Sequence, residues 1–274
     1  MPSSYPVTNR CPVFIVSTGR SGSQMLARVL ALSPAIGAFH EPRPLLNTEA
    51  YLVWSGRAPW HPGSVTESVR YKRSWLIEEI QDHNGLIYVE SSHFASHLIP
   101  VLDRLWEAKF VHLVRNGRDV VRSGLRRSTW YGKISLKARV AAWLRRRLPQ
   151  AEVGDTFLDH RLDPPRECRT RVARIAWLWA EVNRVCLRNL ATIPPERQMR
   201  LHVEALGPTT LTALLQFIGA DPEPALIARM LALADTRPNA SPHDSQAEAP
   251  TWRAEEEEQF RAFAGSMMQQ MGYE

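Results

Sequence analysis

An α/β fold, with a central, mostly parallel sheet sandwiched between two layers of helices, is what this sequence of 274 residues predicts. Two observations carry that expectation. Short apolar runs alternate with segments of helical period, the rhythm of strands that cross over through helices into a parallel sheet. Polar, turn-forming stretches at 18–23, 90–93 and 115–118 each follow directly on such a run, at the carboxyl ends of strands where ligands bind in folds of this kind. With 44% hydrophobic and 23% charged residues, the chain suits one sizeable core, and a single domain over 1–274 is expected.

Taken in order, residues 13–16 form an apolar strand and 18–23 a Gly-bearing turn. Met25, Leu26, Val29, Leu30 and Leu32 then recur at helical spacing until Ser33-Pro34 ends the pattern. "AIGAFHEPRPLL" reads as a second strand entering a proline-rich turn, and a polar, Trp-containing stretch leads to a helix over about 65–81. "GLIYVE" is a third strand. "HFASHLIPVLDRLW" is a helix with Pro100 as a kink or boundary, "KFVHLV" a fourth strand, and 119–127 the start of a further helix. Beyond it come a basic helix in "ISLKARVAAWLRRRL", a loop, and the long amphipathic helix "RVARIAWLWAEVNRVCLRNL", in which at most one of Trp177 and Trp179 points into the core. A last strand in "QMRLHVEAL" precedes helices over 209–218 and 224–234, a mobile loop or lid over 235–252, and a final helix whose acids crowd its first turns.

The net charge of +6 suits an anionic partner, whether nucleic acid, membrane surface or small molecule. Arg145-Arg146-Arg147 on the basic helix reads first as a solvated face and otherwise as a contact for an acidic acceptor or a membrane surface. No run approaches the roughly 18 apolar residues of a membrane span, and "MPSSYPVTNRCPVF" lacks the apolar stretch of a signal peptide, so a cytoplasmic location is expected. Three cysteines, Cys11, Cys168 and Cys186, have neither disulfide-framework nor metal-ligand spacing, and no metal site is expected.

The turn "STGRSGSQ" presents helix N-terminal N–H groups to an anion, with Gly19 and Gly22 allowing tight turning and Ser21 and Ser23 adding hydroxyls. A Walker A loop would carry Gly-Lys-Ser/Thr at its end. Here Ser23 follows Gly22 directly, and Arg20 inside the loop must supply the charge. In "VRNGRDVVRS", Arg115 stands past a strand end and Ser123 eight positions on, able to grip a second phosphate by charge-assisted hydrogen bonds. Two phosphate sites at strand ends imply a ligand with two separated phosphates.

At these motifs the sequence resembles the sulfotransferase family, whose donor is 3′-phosphoadenosine 5′-phosphosulfate (PAPS) and whose product is adenosine 3′,5′-bisphosphate. "TGRSGSQML" is similar to the family's 5′-phosphosulfate loop, which implies donor contacts from Gly19, Arg20, Ser21, Gly22, Ser23 and Gln24. "VRNGRDVVRS" is similar to its 3′-phosphate motif, which implies the same for Arg115 and Ser123. "LALSPAIGAFHEP" resembles the segment that carries a catalytic glutamate in tyrosylprotein and several bacterial sulfotransferases, and places that role on Glu41. His93, 22 residues before Arg115, has a spacing close to that of the catalytic histidine in cytosolic members and is the alternative base. The chain departs from the family where adenine is held: Met25 replaces a stacking tryptophan, Val203 replaces the tyrosine of a Tyr-Glu-Asp-Leu segment, and no Arg-Lys-Gly element is visible.

The resemblance therefore implies a P-loop-like fold and a PAPS-dependent sulfotransferase acting on a small-molecule, glycan or peptide hydroxyl or amine, with Arg20 stabilising the leaving group. No nucleic-acid partner is expected, and homo-oligomerisation is left open. Two rivals remain at this point. One is a P-loop phosphotransferase using a nucleoside triphosphate, against which the missing lysine counts. The other is a non-catalytic anion- or nucleic-acid-binding protein.

Overall fold

The computed structural model describes residues 11–56, 62–126, 130–131, 164–236 and 251–274. The expected basic helix, the Arg145–Arg147 run, Arg127 and nearly all of the 235–252 loop lie outside them. Five strands, β1 (Val13–Ser17), β2 (Ile36–His40), β3 (Ile87–Ser91), β4 (Lys109–Val114) and β5 (Gln198–His202), form one parallel sheet in the order β2-β3-β1-β4-β5. Strand β1 is buried throughout, its side chains alternating between the sheet's two faces: Val13 and Ile15 join one apolar cluster, Phe14 and Val16 the other.

The described helices are α1 (Ser23–Leu30), α2 (Asn47–Trp54), α3 (Pro62–Glu78), α4 (Ala95–Trp106), α5 (Gly117–Leu125), α6 (Arg171–Leu190), α7 (Pro208–Ile218), α8 (Pro224–Asp235) and α9 (Ala254–Gln270). Helices α1, α7 and α8 pack on one face; α2 to α6 and α9 pack on the other. Right-handed crossovers require α1 on one face and α2 to α6 on the other, because the chain moves towards one sheet edge after β1 and the opposite way in every later connection; α7, α8 and α9 follow the last strand. The reversal opens a crevice at the carboxyl ends of β1 and β4, where the turns carrying Arg20 and Arg115 face each other.

Several helix ends follow local chemistry. Thr170 caps α6, accepting the Ala173 N–H at 3.1 Å, and Gly219 at φ 99° ends α7 in a left-handed conformation. The structure corrects the sequence in three places. The polar stretch after β2 contains α2, a helix that buries Asn47 and Glu49 beside Ala50 and so shows no apolar stripe. Pro100 does not bound α4, which runs through it. Leu98, Ile99 and Leu102 are fully buried on that helix, and their packing outweighs the hydrogen bond that the proline removes. The helix expected over 65–81 ends at Glu78 and closes with a wider turn over Glu79–His83.

Candidate active site

The loop after β1 is fixed before it turns. Ser96 of α4 accepts the Ser17 N–H at 3.0 Å and donates to the Ser17 carbonyl at 2.9 Å, so the strand's last residue cannot slide. Arg20 and Gly22 then take left-handed conformations, at φ 67° and 89°. Gly19 does not, so the tight turning expected of two glycines falls to Gly22 and, unexpectedly, to the arginine. A Cβ at Gly22 would come to 3.0 Å from Val203 Cγ2, so the close approach of the segment after β5 adds crowding to a backbone conformation that already favours glycine. Ser21 is fully buried and shares a 2.6 Å hydrogen bond with the Thr18 hydroxyl, which stiffens the loop from inside. Ser23 and Gln24 open α1, whose first-turn N–H groups have no intrahelical acceptors.

The loops after β1 and β4 meet directly. Arg20 Nε donates to Ser123 Oγ at 2.9 Å, and an Arg115 Nη donates to the Arg20 carbonyl at 3.1 Å. Arg20, Arg115 and Ser123, separate in sequence, therefore form one basic, hydroxyl-bearing cluster at the mouth of α1 and α5.

Glu41 and His93 also meet. Strand pairing sets His40 opposite Ser91, so the residues just beyond the two strand ends are neighbours. His93 Nδ1 lies 2.6 Å from Glu41 Oε1; the carboxylate side chain is 19% exposed and the imidazole only 5%, so Glu41 is the member that faces outwards. Burial pushes the Glu41 carboxyl up, but the hydrogen bond and charge of His93, with the charge of His40, outweigh it and hold the group below the ordinary carboxylate value. Glu41 sits at φ 47°, a conformation a glutamate adopts only under restraint. Its N–H donates to the Ser91 carbonyl at 3.0 Å, while the Ser91 hydroxyl donates to the Ser23 carbonyl at 3.1 Å. One residue thus touches both the Glu41 turn and the first turn of α1.

Much of the restraint on Glu41 comes from Arg73 of α3, which is 1% exposed. All five of its guanidinium N–H groups are used: two on Glu90 at 2.6 and 3.0 Å, and three on the carbonyls of Pro42, Pro44 and Lys72. Glu90 also accepts the Tyr88 hydroxyl at 2.7 Å. Arg73 therefore bolts the Glu41–Pro44 turn to β3, the strand that leads to His93. Sequence reasoning missed it. The signal lay in the stripe Val65, Val69, Arg73, Ile77, where an arginine occupies a buried, core-facing position at four-residue spacing. It also missed what Trp179 does: 1% exposed on α6, it donates its indole N–H to the Arg115 carbonyl at 3.1 Å.

The sequence profile of the sulfotransferase domain matches residues 10–162, more than half of the chain. The chain belongs to the sulfotransferase family. No curated protein matches it in sequence. Among solved structures, sulfotransferase STF9 from Mycobacterium avium aligns with a TM-score of 0.57 at 12% identity, covering 98% of this chain and 78% of its own. The sulfotransferase domain from the curacin biosynthetic pathway aligns with a TM-score of 0.51 at 15% identity, over 96% of this sulfotransferase and 98% of itself. Mouse sulfotransferase SULT7A1, solved in complex with PAP, aligns with a TM-score of 0.50 at 13% identity over 94% and 84%. At such identities the likeness shows the sulfotransferase fold: a P-loop-like, mostly parallel sheet with helices on both faces. No helix among the described residues is long and apolar enough to cross a membrane, and among them no group of His, Cys, Asp and Glu could hold a metal ion.

Proposed function

We propose that this sulfotransferase uses PAPS as donor and transfers its sulfuryl group to a hydroxyl or amine of a small-molecule, glycan or peptide acceptor, in the cytoplasm. One observation carries the reading: Ser91 hydrogen-bonds both to the Glu41 turn and to the first turn of α1, so an ionised carboxylate borders the anion-binding loop. The donor's 5′-phosphosulfate would lie on the loop N–H groups and Arg20, and its 3′-phosphate on Arg115 and Ser123, displacing the contacts these residues make with one another. Glu41 takes the acceptor's proton as oxygen or nitrogen attacks sulfur. The bond from sulfur to the bridging oxygen breaks, and the electron pair leaves on the 5′-phosphate, where Arg20 and the loop N–H groups stabilise it. His93, buried behind Glu41, holds the carboxylate ionised and aimed outwards.

The test is release of adenosine 3′,5′-bisphosphate from PAPS against a panel of phenols, sugars, tyrosyl peptides and amines. Wild type is expected to turn over with at least one class. Glu41→Gln is expected to lose about 10²- to 10⁴-fold in turnover while its affinity for the bisphosphate stays within twofold. Near-normal turnover in that variant removes Glu41 from the role.

A further inference from the structure

The peptide group joining Arg115 to Asn116 is gripped at both polar ends. Its carbonyl accepts from the Trp179 indole at 3.1 Å, and its N–H donates to Glu204 Oε1 at 2.7 Å. Glu204 lies just past β5. Its other oxygen accepts the hydroxyl of Tyr273, a residue beyond the end of α9, at 2.8 Å. The same hydroxyl lies 3.0 Å from His202 Nδ1, with the two rings edge-on at 5.2 Å. A phenol has one proton to give, so with the carboxylate as its acceptor the histidine must carry its proton on Nδ1 and donate to the phenol oxygen. Burial, and then the hydrogen bond to Glu204, raise the Tyr273 phenol pKa, which keeps it a donor. Tyr273 is itself anchored: its N–H donates to the Met268 carbonyl at 2.9 Å, and neighbouring Met271 is 1% exposed.

A carboxylate in this place is electrostatically awkward. Glu204 stands one peptide from Arg115 and occupies an N–H at the amino end of α5, where a phosphate would otherwise be attracted. Its negative charge opposes a bound dianion, so the compensating gain must be geometric. With the peptide fixed by α6 on one side and by Glu204 on the other, the Arg115 side chain leaves the backbone in one direction, towards the Arg20 carbonyl that it already reaches.

We propose that Tyr273 and Glu204 form a positioning pair that orients Arg115 and thereby sets selectivity for a ligand bearing a 3′-phosphate. The inference rests on the proposed donor site. Calorimetric titration with adenosine 3′,5′-bisphosphate and with 5′-AMP separates the two ideas, because only the ratio of affinities reports on the 3′-phosphate. Tyr273→Phe is expected to weaken bisphosphate binding about three- to tenfold and to leave 5′-AMP within twofold. Glu204→Ala should do the same. Glu204→Gln, which keeps an oxygen for the Asn116 N–H while losing the charge, should restore the ratio at least to the wild-type value. An unchanged ratio in both Tyr273→Phe and Glu204→Ala, or an equal loss for both ligands, overturns the positioning role. A wild type without 3′-phosphate preference overturns the donor site itself and the pair with it.

Discussion

Behind the Glu41 turn, on the β2 side of the cleft, Arg73 and Glu90 are buried and their bonds are internal to the fold, whereas on the β1 and β4 side the half-buried Arg20 and Arg115 bond to each other's loops and to Ser123. Arg73 gives all five donors to Glu90 and to backbone carbonyls, and neither Arg73 nor Glu90 is more than 1% exposed. Arg20, Arg115 and Ser123 instead bond to one another where the two loops meet. The first set costs several kcal/mol to disrupt and has no reason to change on binding. On the proposed reading the second is a set of provisional bonds, which a donor's phosphate oxygens would replace with stronger, charge-assisted ones. If the proposed roles hold, the group that must meet each substrate in one geometry is held by permanent bonds, and the groups that must grip and release an anion are held by exchangeable ones.

Arg73→Met tests the permanent side most severely. It leaves the Glu90 carboxylate buried without its cation, and should lower unfolding free energy by about 3–5 kcal/mol in denaturant titration; a loss below about 1 kcal/mol would mean that the turn carrying Glu41 is not held this way. His93→Ala sharpens the contrast through pH. Burial raises the Glu41 pKa, but the hydrogen bond and charge of His93 together with the charge of His40 outweigh it, so in wild type the acid limb of turnover should lie below the usual carboxylate value of about 4.3. Without His93, burial dominates and the limb should move up. Stability follows the same sign: a depressed folded pKa contributes above the unfolded value and is lost as pH falls through the folded one. An acid limb that does not move with His93→Ala would break the pairing.

The smallest effect is expected at the rim of the site. Arg118 pairs with Glu257 of α9 at 2.7 and 2.8 Å and lies over the rings of Trp252 and Phe260, and hydrogen bonding from Arg118 lowers the Glu257 pKa to about 2. Both side chains are more than a quarter exposed, so solvent screens the pair. Arg118→Ala should cost below about 1 kcal/mol, present above the ordinary carboxylate range and fading as pH falls towards 2. A melting-temperature scan against pH measures it, and a larger loss would place Arg118 among the permanent groups.

Sheet and helices were legible wherever one period dominated. Helix α6 was visible along its whole length because its apolar stripe recurs without a break, and the inner strands β1, β3 and β4 were visible because both sheet faces bury them. Helix α2 was hidden because it buries polar side chains. The two candidate bases were legible singly, as residues after strands, but their contact was not. It depends on the register of β2 against β3, which brings together residues 52 apart. Arg73, Trp179 and the pair of Glu204 with Tyr273 share that difficulty, since each acts through a backbone group remote in sequence.

The proposed cleft for two phosphates is open to calorimetric titration of wild type and Arg115→Ala with adenosine 3′,5′-bisphosphate, 5′-AMP and ATP with magnesium. Wild type should prefer the bisphosphate over both other ligands. Arg115→Ala should lose about 10- to 100-fold for the bisphosphate, the equivalent of one or two charge-assisted hydrogen bonds, and far less for 5′-AMP. Equal affinities for bisphosphate and 5′-AMP, or tighter binding of magnesium ATP, would contradict the claim.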